Sequence, residues 1–443
     1  MGEYMKNRIF ALFLCAVLLF SAFGCTDENN TDTETTEATQ NATLPEQVDG
    51  YDRVEASVLD FGSYGFEKAE LTKGYEALDT DEQRECYKVI DNYIFYIAQE
   101  KTAGMYKVHP IDLEGITLSE AELHLVISAF SMDHPEVFWL QSRFAYYTTE
   151  KKTFLQLNSQ FSAKEIQDYT DKAKAEVEEI LGGISAYMSE YERELYLHDA
   201  LIERCEYADT EDKNTDEFRI YTSVGAIVDN FAVCEGYTRA MQVLLSLAGI
   251  ESYYVLGIGN EELHMWNTVK IDNEWYYLDA TWNDTDSYSA DYNYFNLTTE
   301  QALTSRTISP LYWELTEDEI CGNVGEYAAN FNLFVPECVV KDWGFYQQRS
   351  ITVTGFDEEN LNLIAQALAD AVNNGEEAVY LYLDPDCLDY TEAVDNLFYS
   401  GDYAIFTCLS RANNQLQDTK IKEDYVTTEE SPEFSVVTIY IEY

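Results

Sequence analysis

Asp272 and Asn273 constrain this chain more than any other pair of its residues. Both accept the left-handed backbone of a two-residue hairpin turn, and they stand between two stretches of alternating hydropathy. His264-Met265-Trp266-Asn267-Thr268-Val269-Lys270-Ile271 leads in, and Glu274-Trp275-Tyr276-Tyr277-Leu278-Asp279-Ala280 leads out. A turn at these two residues fixes the register of every pair behind it. Trp266 then faces Asp279, and His264 lies two residues along on the same face. Diagonal neighbours on one face of a hairpin stand about 7–8 Å apart at the backbone, within reach of long side chains. The sequence therefore predicts that His264 and Asp279 meet, provided no bulge intervenes.

Upstream lies Val228-Asp229-Asn230-Phe231-Ala232-Val233-Cys234-Glu235-Gly236-Tyr237. A helical pattern follows through Ala240, Met241, Leu244, Leu245 and Leu247, with Gly249 placed as a helix-ending residue. Cys234 is thus predicted at a helix N-terminus, where unpaired N–H groups and the macrodipole favour the thiolate. Its own N–H can point where an oxyanion forms. Gly236, just inside the helix, suits the close approach of another backbone. A cysteine alone reads more readily as a small buried hydrophobe. The combination carries the argument: a carboxylate on one imidazole nitrogen fixes the tautomer, and the other nitrogen takes a thiol proton. Cys234, His264 and Asp279 are the candidate nucleophile, base and orienting residue. The chain has only five histidines, namely His109, His124, His134, His198 and His264.

Several segments in this order resemble one family. They are Val233-Cys234-Glu235-Gly236-Tyr237, then Leu245 and Ala248-Gly249-Ile250, then His264-Met265-Trp266-Asn267. The last is Trp275-Tyr276-Tyr277-Leu278-Asp279-Ala280-Thr281-Trp282-Asn283-Asp284. Together they resemble the core of the transglutaminase-like superfamily, in the branch of bacterial exported lipoproteins. Tyr191–Tyr207, with His198-Asp199 and Glu206-Tyr207, resembles the helix preceding that core. Asp133-His134-Pro135-Glu136-Val137-Phe138-Trp139 resembles a motif in the helical region of the same lipoproteins. The resemblance covers about residues 80–300. It implies an α+β fold with a papain-like core, N-terminal helices packed on an antiparallel sheet, and a thiol acyl-enzyme. Three outcomes stay open under it. Water as acceptor gives a peptidase or amidase, a lysine amine gives a crosslinking transamidase, and a member without turnover serves as a binding or scaffold module.

Other residues admit two readings. Tyr221 is a candidate second oxyanion donor or a packed tyrosine. Trp266 and Trp282 can wall a cleft or belong to the core. His198 lies on an apolar helical face and reads as a satisfied core histidine. Asn283-Asp284-Thr285-Asp286 with Asp291 has acids at calcium-loop spacing but lacks the glycine of the sharp turn, and reads as a solvated acidic loop. There is no C-x-x-C and no zinc spacing, so no metal or cofactor is expected.

The ends of the chain give its organisation. Residues 1–25 read as a lipoprotein signal peptide, with Lys6 and Arg8, the apolar run Ile9–Phe20, and Ser21-Ala22-Phe23-Gly24-Cys25 as the lipidation site at Cys25. Export and anchoring on the outer face of a bacterial membrane follow, with the membrane met only through that lipid. Residues 26–75 read as an acidic, Thr-rich tether. Residues 76–190 are a helical subdomain, with helices at Asp79–Ala98, Thr117–Ser131 and Ala163–Met188. The catalytic core is expected at 191–305, and residues 300–340 read as irregular. A C-terminal α/β module occupies 340–443, a sandwich of one helical layer on one sheet in the order β-α-β-α-β-β, with strands at Tyr403–Leu409 and Phe434–Tyr443. The net charge of −55, from 82 acids against 27 bases, excludes nucleic acid, whose binding needs clustered cations. The expected partner is a peptide or protein substrate, with wall peptide among the candidates. Oligomeric state is not readable.

Overall fold

The computed structural model describes residues 47–148, 152–208, 218–285, 291–322, 330–400 and 403–443. The signal segment, Cys25 and the start of the tether lie outside the described residues, as does Asp286.

Helix α1 (Asp81–Tyr93) opens with a capping box between Thr80 and Gln83 and buries Cys86 and Ile90. It ends earlier than its sequence predicts, because Tyr96–Ala98 pairs antiparallel with Tyr51–Arg53. The apolar run through Ile94 and Ile97 carries no period that separates helix from strand. Helix α2 (Glu120–Asp133) is capped by Ser119 with Glu122 and is buried on nearly every side. Strands β1 (Leu140–Thr148) and β2 (Thr153–Ser159) form a hairpin with a bulge between Gln141 and Phe144. Tyr106–Lys107 and Ile111–Asp112 join β2, so a four-stranded sheet accompanies the helices of this region. Two-residue strands leave no alternation to read.

Helix α3 (Ala163–Leu181) stops at Gly182-Gly183, short of Met188. Helix α4 (Glu190–Ile202), capped by Ser189 and Glu192, stops before the short strand β3 (Glu206–Tyr207). Helix α5 (Ser223–Ile227) and strand β4 (Phe231–Ala232) then lead into helix α6 (Cys234–Leu247). Strands β5 (Ser252–Gly259), β6 (Glu262–Ile271), β7 (Glu274–Leu278) and β8 (Arg306–Ile308) form an antiparallel sheet in the order β7-β6-β5-β8. Strand β8 lies in the stretch read as irregular.

Helix α6 is held on two sides. Thr238 Oγ1 donates to the Met265 carbonyl at 3.0 Å, and Asn267 Nδ2 to the Thr238 carbonyl at 3.0 Å, which ties it to β6. On its other flank Gln242 Nε2 donates to the Met132 carbonyl at 2.6 Å, and Arg239 to the Ser131 carbonyl at 3.3 Å. The end of α2 therefore buttresses α6. Asp133 anchors that end, accepting from the Gly74 and Tyr75 N–H groups at 2.8 and 2.7 Å and from the Tyr87 hydroxyl at 3.1 Å. Trp139 Nε1 donates to the Ile94 carbonyl at 3.1 Å. The Asp133–Trp139 motif is thus built into the support of α6. One hydrophobic core runs through all of this, from Val54 to Phe345.

A second core, from Val353 to Ile441, belongs to the C-terminal module. Its elements are β9 (Ser350–Val353), α7 (Glu358–Asn374), β10 (Ala378–Leu383), α8 (Tyr390–Val394), α9 (Ala404–Gln415), β11 (Thr427–Ser431) and β12 (Val436–Tyr440). The sheet order is β9-β10-β12-β11, with β9 parallel to β10 and the rest antiparallel. One expectation is corrected, and one strand was not expected. Tyr403–Leu409 is not a strand: Ile405, Cys408, Leu409 and Ala412 are buried at helical spacing on α9. The outer strand β11 reads Thr-Thr-Glu-Glu-Ser, mostly exposed, and has no apolar face to announce it. The two cores meet at Phe345, which stacks flat on Tyr292 with ring centroids 3.7 Å apart and packs edge-on against Tyr380 of β10 at 5.0 Å.

Candidate active site

Three backbone tracks converge on the start of α6. Strand β3 runs parallel to β4, and the Ala208 N–H donates to the Ala232 carbonyl at 2.8 Å. From the other side, the Val233 N–H donates to the Ile220 carbonyl at 3.0 Å. A tight turn with Asn230 at φ 56° brings the chain into this slot. Gly236 is required by it, because a Cβ there would stand 2.5 Å from the Ile220 carbonyl oxygen and 2.7 Å from Ala232 Cβ. The result is Cys234 as the first residue of α6, half-buried, with its thiol free.

The hairpin delivers the other two residues. Asp272 and Asn273 have φ of 49° and 68°, the conformation of a type I′ turn, and Asn267 pairs with Leu278. His264 and Asp279 are then diagonal on one face, and Nε2 of His264 lies 2.7 Å from Oδ2 of Asp279. With Nε2 so engaged, Nδ1 is the ring nitrogen left to interact with Cys234. Burial alone would lower the imidazole pKa, but the Asp279 carboxylate and the Cys234 sulfur raise it to about 9. Burial likewise works to raise the Asp279 carboxyl, yet His264 and Arg306 beside it hold it below the ordinary carboxylate range. At neutral pH the site holds an imidazolium backed by a carboxylate.

Asp279 is fixed by three donors. Besides His264, the Trp282 N–H donates to Oδ1 at 3.1 Å, since Asp279 caps the short helical turn Ala280–Asn283. Nη1 of Arg306 stands 2.5 Å from Oδ2, the oxygen that His264 also uses. The sequence reading missed Arg306 altogether. Its guanidinium is 1% exposed and lies over the rings of Trp282, Trp266 and Tyr294 at 4.0, 5.0 and 5.1 Å. Two glycines of β5 make room for the tryptophan rings that flank this group. A Cβ on Gly257 would stand 2.5 Å from Trp266 Cη2, and one on Gly259 2.6 Å from Trp282 Cζ2. The Gly257-Ile258-Gly259 spacing within a strand was the available signal, since glycine there marks close approach of another group.

The remaining candidates fall in different places. Trp282 stacks on His264 and is partly exposed. Trp266 is 1% exposed, so it lines no cleft and instead packs beside the imidazole at 5.7 Å. Tyr221 packs in a small cluster with Ala208, Ile220 and Val233. Tyr207, read from the sequence only as the end of a helix motif, stands near enough to Cys234, Glu262 and Tyr221 for burial and their charges to push its hydroxyl up to about 12. His198 is fully buried, with Asp199 at 2.9 Å on Nδ1 and Asn283 at 2.9 Å on Nε2. Among the described residues no three His, Cys, Asp or Glu side chains converge as metal ligands, and all seven cysteines are unbridged.

Residues 178–280 match the family described as the Transglutaminase-like superfamily. The match supports a transglutaminase-like fold for this stretch. The matched stretch contains Cys234, His264 and Asp279 and ends before Arg306. No curated protein matches the sequence. Among solved structures, the chain is similar to a crystal structure of a TGase at 15% identity, covering 40% of this chain and 51% of that one, with a TM-score of 0.23. It is also similar to a candidate cysteine protease from Cytophaga hutchinsonii at 13% identity, covering 31% of this chain and 61% of that one, with a TM-score of 0.21. The chain thus spans about half to three fifths of the length of these structures.

Proposed function

We propose that this chain is a thiol enzyme that cleaves amide or peptide bonds, with water as the second acceptor. The observation that carries the reading is the position of His264, bound to Asp279 through one ring nitrogen with Cys234 on its other side. The imidazolium and the N-terminus of α6 both place positive potential at the sulfur.

The reaction follows from the parts. Sγ of Cys234 attacks the carbonyl carbon, and His264 holds the thiol proton. Negative charge collects on the carbonyl oxygen, where first-turn N–H groups of α6, which have no acceptor within the helix, can meet it. The C–N bond breaks as His264 gives its proton to the leaving amine. Water then attacks the thioester, losing a proton to His264, and the acid departs as the thiol is restored. Asp279 keeps the imidazole in one tautomer throughout.

The substrate class we infer is a peptide or protein outside the cell, wall peptide included. The support is the leader with Lys6 and Arg8, its apolar run, and Cys25 at the position of a lipidated cysteine. Release of the protein from the membrane fraction by Cys25→Ser tests the anchor. The activity is tested by turnover of a peptide-amide mixture with and without a primary amine. Hydrolysis lost in Cys234→Ala supports the proposal. Amine incorporation in place of hydrolysis would make the chain a transamidase. Equal function of the wild type and a folded Cys234→Ala variant would make it a binding module.

A further inference from the structure

We propose that Arg306 is a positioning residue of this site, sharing one oxygen of Asp279 with His264 and so setting the pH at which His264 exchanges its proton. The inference rests on the reading of Cys234, His264 and Asp279 as the reacting set.

The geometry separates this arrangement from an ordinary structural ion pair. Nη1 of Arg306 and Nε2 of His264 both end on Oδ2, at 2.5 and 2.7 Å, while Oδ1 takes the Trp282 N–H. The two cations therefore compete for one acceptor. Asp279 is 3% exposed and Arg306 1% exposed, so water screens neither. Nη2 of Arg306 is buried with no hydrogen-bond partner among the described residues. Its charge is met instead by the faces of Trp282, Trp266 and Tyr294. A planar guanidinium fits between these rings, and a lysine ammonium would not stack there.

The consequence is electrostatic. A carboxylate alone with a buried imidazole would stabilise the imidazolium strongly, and a base that never releases its proton is a poor catalyst. A permanent cation on the same oxygen divides that support. It also keeps Asp279 ionised whenever His264 is neutral. The groups facing His264 are Cys234 on α6, Asp279 at the end of β7 and Arg306 on β8. Tyr207 on β3, with Glu262 on β6 and Tyr221 before α5 near it, stands by Cys234. Removing Arg306 removes the one fixed positive charge among them.

The test is direct titration of His264 by NMR in the purified protein with ring-labelled histidine, assigned by His264→Ala. Arg306→Met is expected to raise the His264 midpoint by one pH unit or more, as loss of a buried cation within about 5 Å requires. Arg306→Gln keeps a hydrogen bond and drops only the charge. It should shift the midpoint in the same direction, and it serves if the Met variant does not fold. Arg306→Lys should move the midpoint less than either. The acid limb of Cys234 alkylation by iodoacetamide should move upward in parallel. An unchanged His264 midpoint in folded Met or Gln variants would overturn the proposal, because a purely structural arginine would change melting temperature and leave the titration in place. If the midpoint moves while wild-type Cys234 alkylates as an ordinary thiol, Arg306 acts as proposed and the thiol-enzyme reading fails.

Discussion

The imidazole of His264 and the indole of Trp282 lie in nearly parallel planes, 18° apart, with their centroids 4.9 Å from one another. Trp282 also gives its N–H to Asp279 and carries the Arg306 guanidinium over its ring. One residue therefore touches all three members of the buried charge cluster, Asp279 through its backbone N–H and the other two through its ring. Aromatic contacts of this kind contribute about 0.5–1.5 kcal/mol. Trp282→Ala should lower amide turnover roughly two- to tenfold, and Trp282→Phe, which keeps a stacking face, should stay near wild type. Gly259→Ala should reproduce the alanine loss without substituting any site residue. Its Cβ would fall 2.6 Å from Trp282 Cζ2 and 3.6 Å from His264 Cβ, so the indole must slide off the imidazole. Turnover in Gly259→Ala equal to wild type would mean the stack does not matter.

Removal of the Asp279 charge should damage the fold as well as the chemistry. The carboxylate is the only acceptor Arg306 has for its Nη1 among the described residues, and both groups are buried. Asp279→Asn keeps the shape and leaves the guanidinium facing a neutral amide. Breaking one half of a buried ion pair costs about 3–5 kcal/mol, which urea unfolding would report. Asp279→Asn combined with Arg306→Met should be less destabilised than the two single changes added together, because no buried charge is left over. Additive losses would show that the pair is not coupled.

How much of this site was legible follows from the range of each signal. The Asp272-Asn273 turn is local, and its two positive φ values fix the strand register that brings His264 to Asp279. The start of α6 at Cys234 and the tight contact at Gly236 are local as well. So are the capping boxes at Ser119, Ser162 and Ser189, each marked by a Glu three residues on. Arg306 is different. It sits on a three-residue strand, too short to show alternation, and reaches Asp279 only because β8 docks on β5. Tyr207 came near Cys234 through a two-residue strand that the sequence presents as the tail of a helix. In the C-terminal module the same limit applied twice. The short apolar run of α9 fits either period, and the polar edge β11 shows none.

The pH range of the site follows from the two shifted groups. The imidazole of His264 is raised from 6.5 to about 9 in the fold, so its contribution to stability is full below about 6.5 and is lost as pH rises through 9. Asp279 is held below its ordinary range, so its contribution is present above that range and is lost as pH falls through the folded value. Turnover should accordingly fall away as pH rises past about 9, where His264 no longer carries a proton for the leaving amine. The stability gap between wild type and His264→Ala should be widest near pH 6 and close above pH 9. A gap that stays constant across this span would mean that His264 is not protonated in the folded protein.

Glu194 gives a pH effect outside the site. It sits on α4, fully buried, and burial pushes its carboxyl up to about 8 despite the Asn296 amide that donates to Oε2 at 2.7 Å. Its other oxygen, Oε1, is buried without a hydrogen-bond partner among the described residues. The folded chain thus keeps a proton that the unfolded chain releases above its ordinary value of 4.5. Stability must fall as pH rises between these two values, by up to about 1.4 kcal/mol for each pH unit. Glu194→Gln carries the same shape with no charge to bury. The variant should match wild type near pH 4.5 and exceed its melting temperature increasingly toward pH 8. Paired thermal melts across that window decide the matter. Parallel curves would mean that Glu194 is ionised in place and that a donor to Oε1 enters the fold.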